Sequence, residues 1–315
     1  MKKLILLTIA ALSLAGCNRS PDFYFTRGNH LLAAGKHSDA MEDYNRALLL
    51  KRNYPEALVS RGLLFERMGD RQKAGLDYRK AIEMKADYLP AYNNLGAMLM
   101  DAGNYSEAVK LFSEALAAKR DYSFALLNRG LAYYKLDDCG AATADLSRAL
   151  DLNPKFEMAY YHRALCARDA KNLPAAIADL DALLALNPAA ALARFERGKA
   201  LYHLGDHGGA AQEFSAAAGL MPKDPSSHYW LAFSLYKTAY YEGALDAGRK
   251  ASELKPDSHQ IHGLLGDIYA SSGDRVRAAT EYKWAAELSS KNAALYEARL
   301  KALTAPAAQT RKKRG

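Results

Sequence analysis

The chain is poor in cysteine, has no long apolar run, and carries no block of like charge outside its last residues. Three cysteines in 315 residues exclude a small disulfide-framed scaffold. The apolar stretch Leu4 to Leu14 is too short for a stable bilayer-spanning helix, which takes about 20 residues. A Gly-rich phosphate loop, G-x-S-x-G, H-E-x-x-H and C-x-x-C are all missing, and with them the usual signatures of nucleotide, serine-hydrolase, zinc-protease and thiol-redox chemistry. The chain therefore reads as a non-enzyme with no cofactor and no metal. His203 and His207 are four apart, but Gly205 and Asp206 stand between them at a turn, so they read as turn histidines.

The formal charge of +8 invites a nucleic-acid reading, and its distribution removes it. Lys2 and Lys3 hold two of the positive charges, and Arg311, Lys312, Lys313 and Arg314 hold four more. What lies between is close to neutral, so no nucleic-acid partner is expected. A quarter of the residues are charged and half are hydrophobic, enough for a continuous core.

What is present is a period. Residues 89–122 read as two amphipathic helices around a turn, and their markers return every 34 residues. Gly96 maps onto Gly28, Gly62, Gly130, Ala164, Gly198, Ala232 and Gly266. Ala108 maps onto Ala40, Ala74, Ala142, Ala176, Ala210, Ala244 and Ala278. A fixed period of this length means stacked units. The copies are 21–54, 55–88, 89–122, 123–156, 157–190, 191–224, 225–258 and 259–292. Small residues at copy positions 8 and 20 let the two helices approach closely, and large ones at 11 and 24 fill the space beside them. Pro154, Pro188, Pro222 and Pro256 end second helices. Gly35, Gly69, Gly103, Gly205 and Gly273 mark the turn inside the copy. No shift in composition marks a domain boundary. Asn292 is a suitable N-cap for one more helix, 293–303, with Tyr296, Leu300 and Leu303 on one face. Residues 304–315 read as a disordered basic tail.

These markers resemble the tetratricopeptide repeat. The resemblance implies an all-α, right-handed α-solenoid of eight repeats with a C-terminal capping helix. Departures are few: Trp is absent at position 4, where Arg194, His228 and His262 stand in copies 6 to 8. At position 24, Leu146, Leu180 and Gly248 replace the aromatic, which predicts looser packing there. Cys139 and Cys166 fall on helices that such a stack makes neighbours, and whether they form a disulfide is left open.

The resemblance also implies a binding groove lined by positions 2, 5, 9, 12 and 13 of the first helices. In copies 1 to 3 these give a mixed set: Asp22, Asn29, Glu56, Glu66, Arg67, Asn93 and Asp101. In copies 4 to 7 they give aromatics, Phe124, Tyr134, Tyr161, Phe195, Tyr202, Tyr229, Phe233 and Tyr236. Among these stand Lys135, Arg168, Lys199, His203 and Lys237. Trp230 and His162 at position 6 read equally well as core. Aromatic and basic anchors suit a protein or peptide partner, and the cations favour acidic residues in it. The carboxylate clamp of some family members would need basic residues where Phe25 and Glu56 stand, so C-terminal capture is not expected.

The first 16 residues combine a basic start with a short apolar core and read as a secretory signal. Leu14-Ala15-Gly16-Cys17 resembles the lipobox of bacterial lipoproteins. That resemblance implies lipidation of Cys17 and a location in the bacterial cell envelope. The protein is then expected on the outer membrane, facing the periplasm, with residues 17–20 as a short tether. The function expected is a membrane-anchored adaptor, such as a pilotin-like assembly factor or a recruiter of peptidoglycan enzymes. The alternative is a structural lipoprotein whose basic tail grips cell wall or anionic lipid.

Overall fold

The 34-residue spacing builds a hairpin: a helix of 13 residues, a tight turn, and a helix of 14. The computed structural model describes residues 19–304, and among these it contains 17 α-helices and no strand. The expected signal sequence, Cys17 and the tail beyond residue 304 lie outside the described residues. The chain divides into two compact units, residues 1–159 and 160–315.

The first unit contains α1 (Pro21–Ala33), α2 (His37–Leu50), α3 (Pro55–Arg67), α4 (Arg71–Met84), α5 (Leu89–Asp101), α6 (Tyr105–Ala118), α7 (Ser123–Lys135) and α8 (Cys139–Leu152). The division falls inside α9 (Glu157–Asp169). The second unit continues with α10 (Leu173–Leu186), α11 (Ala191–His203), α12 (His207–Leu220), α13 (Pro225–Lys237), α14 (Tyr241–Leu254), α15 (His259–Ser271), α16 (Arg275–Leu288) and α17 (Ala293–Thr304). The all-α hairpin repeat expected from the sequence is the fold observed.

Each hairpin turn uses one device. The backbone N–H at position 16 bonds the carbonyl five residues earlier, as in Asp70 to Phe65 (2.9 Å) and Asp274 to Tyr269 (2.8 Å), which closes the first helix in a Schellman motif. Position 15 is left-handed, and glycine supplies it in five copies. In the others Asp137, Lys171 and Ala239 take the same conformation near φ +60°. In five copies Asp or Asn at position 16 then caps the second helix: the Ala141 N–H bonds Asp138 at 3.0 Å, and the Gly209 N–H bonds Asp206 at 2.8 Å.

The hairpin closes on the pairing of positions 8 and 24. A methyl added to Gly62 would lie 2.5 Å from the Tyr78 ring, and one on Gly28 2.8 Å from Tyr44. The predicted loosening at the departing copies does not occur. Leu146 presses on Gly130 as closely as Tyr44 does on Gly28, again 2.8 Å from an added methyl, and it is fully buried. Leu180 is also buried. Where copy 7 has Ala232 against Gly248, Leu265 of the next copy fills the gap. Position 4 has a shared duty as well. Tyr92, Arg194, His228 and His262 each reach the carbonyl at position 32 of the preceding copy (Ala86, Pro188, Pro222, Pro256) at 2.9–3.2 Å.

A row of ion pairs runs through both units. Arg at position 7 meets an acid at position 23: Arg27 with Asp43, Arg61 with Asp77, Arg129 with Asp145, Arg163 with Asp179, and Arg197 with Glu213. The acids are nearly inaccessible, Asp77 keeping 6% of its surface. Most of these pairs are two-pronged, as in Arg61, whose Nε and Nη2 donate to Asp77 at 2.7 Å each. A third donor reaches back to the preceding copy, from Arg61 to Asn45 (2.8 Å) and from Arg129 to Ser113 (3.0 Å). Each such arginine therefore fastens its own hairpin and ties it to its neighbour. The carboxylate beside Arg129 raises that guanidinium's pKa. Copy 3 has Leu95 and Leu111 at these positions instead, copy 7 Leu231 and Ala247, and copy 8 Leu265 and Glu281.

Candidate functional site

The rings expected to line a groove occupy the two units separately. In the first unit Phe124 is exposed at 49%, with Tyr122 and Phe156 beside it at 6.0 and 5.3 Å between centroids. Tyr134 is half-buried and Lys135 exposed, both on α7.

The second unit gathers a larger cluster on α11 and α13. Tyr202 stacks on Phe233 at 5.1 Å, and Phe233 stacks on Tyr229 at 6.1 Å. Trp230 meets Tyr202 edge-on at 5.4 Å and lies parallel to Phe214 of α12 at 5.7 Å. Phe195 stands edge-on to the same Phe214 at 5.5 Å. Phe214 is fully buried and forms the floor, while Phe195, Tyr202, Tyr229, Trp230 and Phe233 are each half-buried. The rings at 202, 229 and 233 thus serve as a surface resting on a core. Desolvation raises the phenol pKa values of Tyr202 and Tyr229. Tyr236 extends the surface, its hydroxyl 3.3 Å from Ser271 Oγ and its ring 6.2 Å from Tyr241. Tyr161 is half-buried on α9 and packs against Ala164 and its neighbours.

The cations do not behave as a uniform basic set. Glu196, which the position pattern passed over, accepts from Arg168 at 2.6 Å and from Lys199 at 3.3 Å. Those two charges are met inside the protein, so the expected preference for acidic partner residues loses their support. Lys237 has no carboxylate partner among the described residues and lies over the Phe233 ring at 5.4 Å. His203 and His207 flank Tyr202, at 5.8 and 4.7 Å between centroids. Among the described residues no group of three or more His, Cys, Asp or Glu side chains could hold a metal. Cys139 and Cys166 are both disulfide-bonded.

Next to the cluster is a cavity of about 340 Å³ between the starts of α13 and α15. Tyr229 and Trp230 form one wall, and Ser226, Lys255, Ser258 and Gln260 supply polar groups. Ser226 and Gln260 stand at position 2 of their copies, a groove position, whereas Lys255 and Ser258 sit at a copy end, where the family pattern assigns none. The arrangement offers flat apolar faces beside a few polar atoms, which is what a peptide side chain and its backbone need.

These features define a helical-repeat binding scaffold. Residues 127–182 and 172–228 match the tetratricopeptide repeat, as do 55–88 and 90–122, and residues 28–69 match a TPR repeat. The chain belongs to the tetratricopeptide-repeat family. Among solved structures it is similar to a tetratricopeptide repeat protein from Parabacteroides merdae, at 22% identity and a TM-score of 0.54 over 80% of this chain and 99% of that one. It is similar to PilF of Pseudomonas aeruginosa at 20% identity and a TM-score of 0.58, over 64% and 92%. It is also similar to YrrB, a TPR protein with an unusual peptide-binding site, at 21% identity and a TM-score of 0.54, over 58% and 95%. At such identities the likeness establishes the fold. Comparison with curated proteins finds no match.

Proposed function

We propose that this protein is a lipid-anchored adaptor of the bacterial envelope that binds a segment of a partner protein on the aromatic surface of α11 and α13. The observation that carries this reading is the stack of Tyr202, Phe233 and Tyr229, three half-buried rings that rest on the core and keep part of their surface in solvent. The anchor is acyl chains on Cys17, facing the periplasm, and the protein works by holding a partner rather than by reacting with it. Both a pilus or secretion subunit and a peptidoglycan enzyme present segments that such a surface could hold.

The test is co-purification from detergent-solubilised membranes. Wild type should retain one defined protein, and Tyr202→Ala with Phe233→Ala should lose it while keeping its helical content. Retention by the double variant, with loss on deleting residues 306–315, would favour the basic tail as the binding element instead.

A further inference from the structure

The second helices of the first two copies, α2 and α4, enclose with α3 a cavity of about 490 Å³. Its apolar lining is Leu48, Leu49, Leu58 and Met84, and Arg52 and Lys80 supply free cations. The third cation there, Arg61, is occupied by Asp77 and Asn45. Arg52 and Lys80 have no carboxylate partner among the described residues. Leu49 is 79% exposed and Leu50 52%, an unusual pair for the surface of a soluble protein.

The same groove one copy further on provides an internal comparison. There Lys80 is replaced by Glu114, Leu49 by Glu83 and Arg52 by Ala86. That second cavity, floored by Leu95 and Leu99, is rimmed by Glu83, Glu107 and Glu114 against Arg79 and Lys110. The second step therefore lacks this character; the third has Arg120 and Arg148 at the places of Arg52 and Lys80, but there Arg148 is met by Asp121 at 2.8 Å and the place of Leu49 is Ala117.

Position supplies the occupant. The end of α2 lies against the start of α1: Tyr54 donates to Asp22 at 2.7 Å, and Lys51 stands 4.0 Å from the same carboxylate. The chain leaves that point toward Cys17 through Ser20 and Arg19, and from Arg19 only two residues remain, about 7 Å extended. We propose that this cavity is a binding site for an anionic phospholipid, with Arg52 and Lys80 on the phosphate and Leu49, Leu50 and Met84 against the glycerol and upper acyl region. The site rests on the membrane placement proposed above, and it would lay the second helices of copies 1 and 2 on the bilayer surface. A phospholipid fits this combination better than a free phosphate, which would have no use for the leucines.

The test uses the chain from residue 17 onward carrying Cys17→Ser, so that neither the apolar leader nor an acyl chain contributes, sedimented with vesicles at moderate salt. It should bind phosphatidylglycerol–phosphatidylethanolamine vesicles and not phosphatidylcholine vesicles. Arg52→Glu with Lys80→Glu should weaken binding about thirtyfold, two basic contacts being worth about 1 kcal/mol each near an anionic surface. Leu49→Asp should also weaken it, while Lys223→Glu on the other unit should not. All of these side chains are exposed, and circular dichroism checks that the variants fold. Equal binding to both vesicles, an unaffected double reversal, or full displacement by soluble glycerol phosphate would overturn the proposal. So would loss of binding on removing residues 306–315 alone. Because the readout has no acyl chain, it stands or falls independently of labelling at Cys17.

Discussion

Arg61 makes bonds in two directions, to Asp77 within its hairpin and to Asn45 of the copy before. Removing it strands a carboxylate that has almost no access to water. Breaking a buried pair from one side costs about 3 kcal/mol or more. Arg61→Ala should lower the stability of the first unit by about that amount in urea denaturation. The chain also contains the remedy, since copy 3 carries Leu95 and Leu111 at the same two positions. The double change Arg61→Leu, Asp77→Leu should recover most of the loss, because two well-packed apolar groups can replace an ion pair at little cost. A double variant as unstable as the single one would mean that the tie to Asn45, and not the stranded acid, dominates.

His262 is the other residue whose bonding dictates its state. Its Nδ1 lies 2.7 Å from Glu281 Oε2 and its Nε2 2.9 Å from the Pro256 carbonyl. Both partners accept, while a neutral imidazole has only one N–H. The ring is therefore held as the cation, and the bond to Glu281 raises its pKa. A raised pKa contributes stability that is complete below the ordinary value of about 6.5 and is lost as pH climbs through the folded value. The second unit should accordingly weaken from mildly acid to mildly alkaline pH. Glu281→Gln should flatten that dependence, and a profile identical to wild type would remove His262 from this role.

At the scale of the element, the hairpin turn is more uniform than the residues that make it. Ala239 adopts φ +60° where five other copies have glycine. A Cβ in that region costs roughly 1–2 kcal/mol, and glycine gives back part of this in backbone entropy. Ala239→Gly should stabilise the protein by about 0.5–1 kcal/mol in chemical denaturation. Asp137→Gly should gain less, since Asp tolerates the left-handed region better. No gain at either position would indicate that the turn is relaxed as it stands. The helices and their turns were legible in the sequence because phase repeats the same evidence from copy to copy. The ion-pair row was not read, although its signal is there: an arginine directly before the small residue, as in Arg61-Gly62, and an acid directly before the large one, as in Asp77-Tyr78. On one helix alone either charge looks like a solvated surface residue, and only the hairpin brings them together.

At the scale of the whole molecule, repeat stability is close to a sum over units and their neighbours. The candidate surface was legible to the extent that position within the copy decides which way a side chain faces. Position alone put Tyr202, Tyr229 and Phe233 on one face, and the structure stacks them there. The neutralising role of Glu196 was not, because it depends on two arms, Arg168 and Lys199, that converge from successive copies. The proposed anchor makes its own prediction: metabolic labelling with a radioactive fatty acid should mark wild type and leave Cys17→Ser unmarked. Label persisting in the variant would remove Cys17 as the attachment point.

Trp230 and Trp284 are the chain's two tryptophans, and both belong to the second unit. Tryptophan fluorescence, excited beyond the tyrosine band, therefore watches only half of the protein. Trp230, seated among the rings, should shift its emission when a ligand covers them. Trp284, edge-on to His262 at 5.0 Å, should brighten as the imidazolium loses its proton and ceases to quench it. With a single excitation wavelength and two single-tryptophan variants, occupancy and protonation become separately visible, while the first unit stays dark and serves as a silent place to attach a dye.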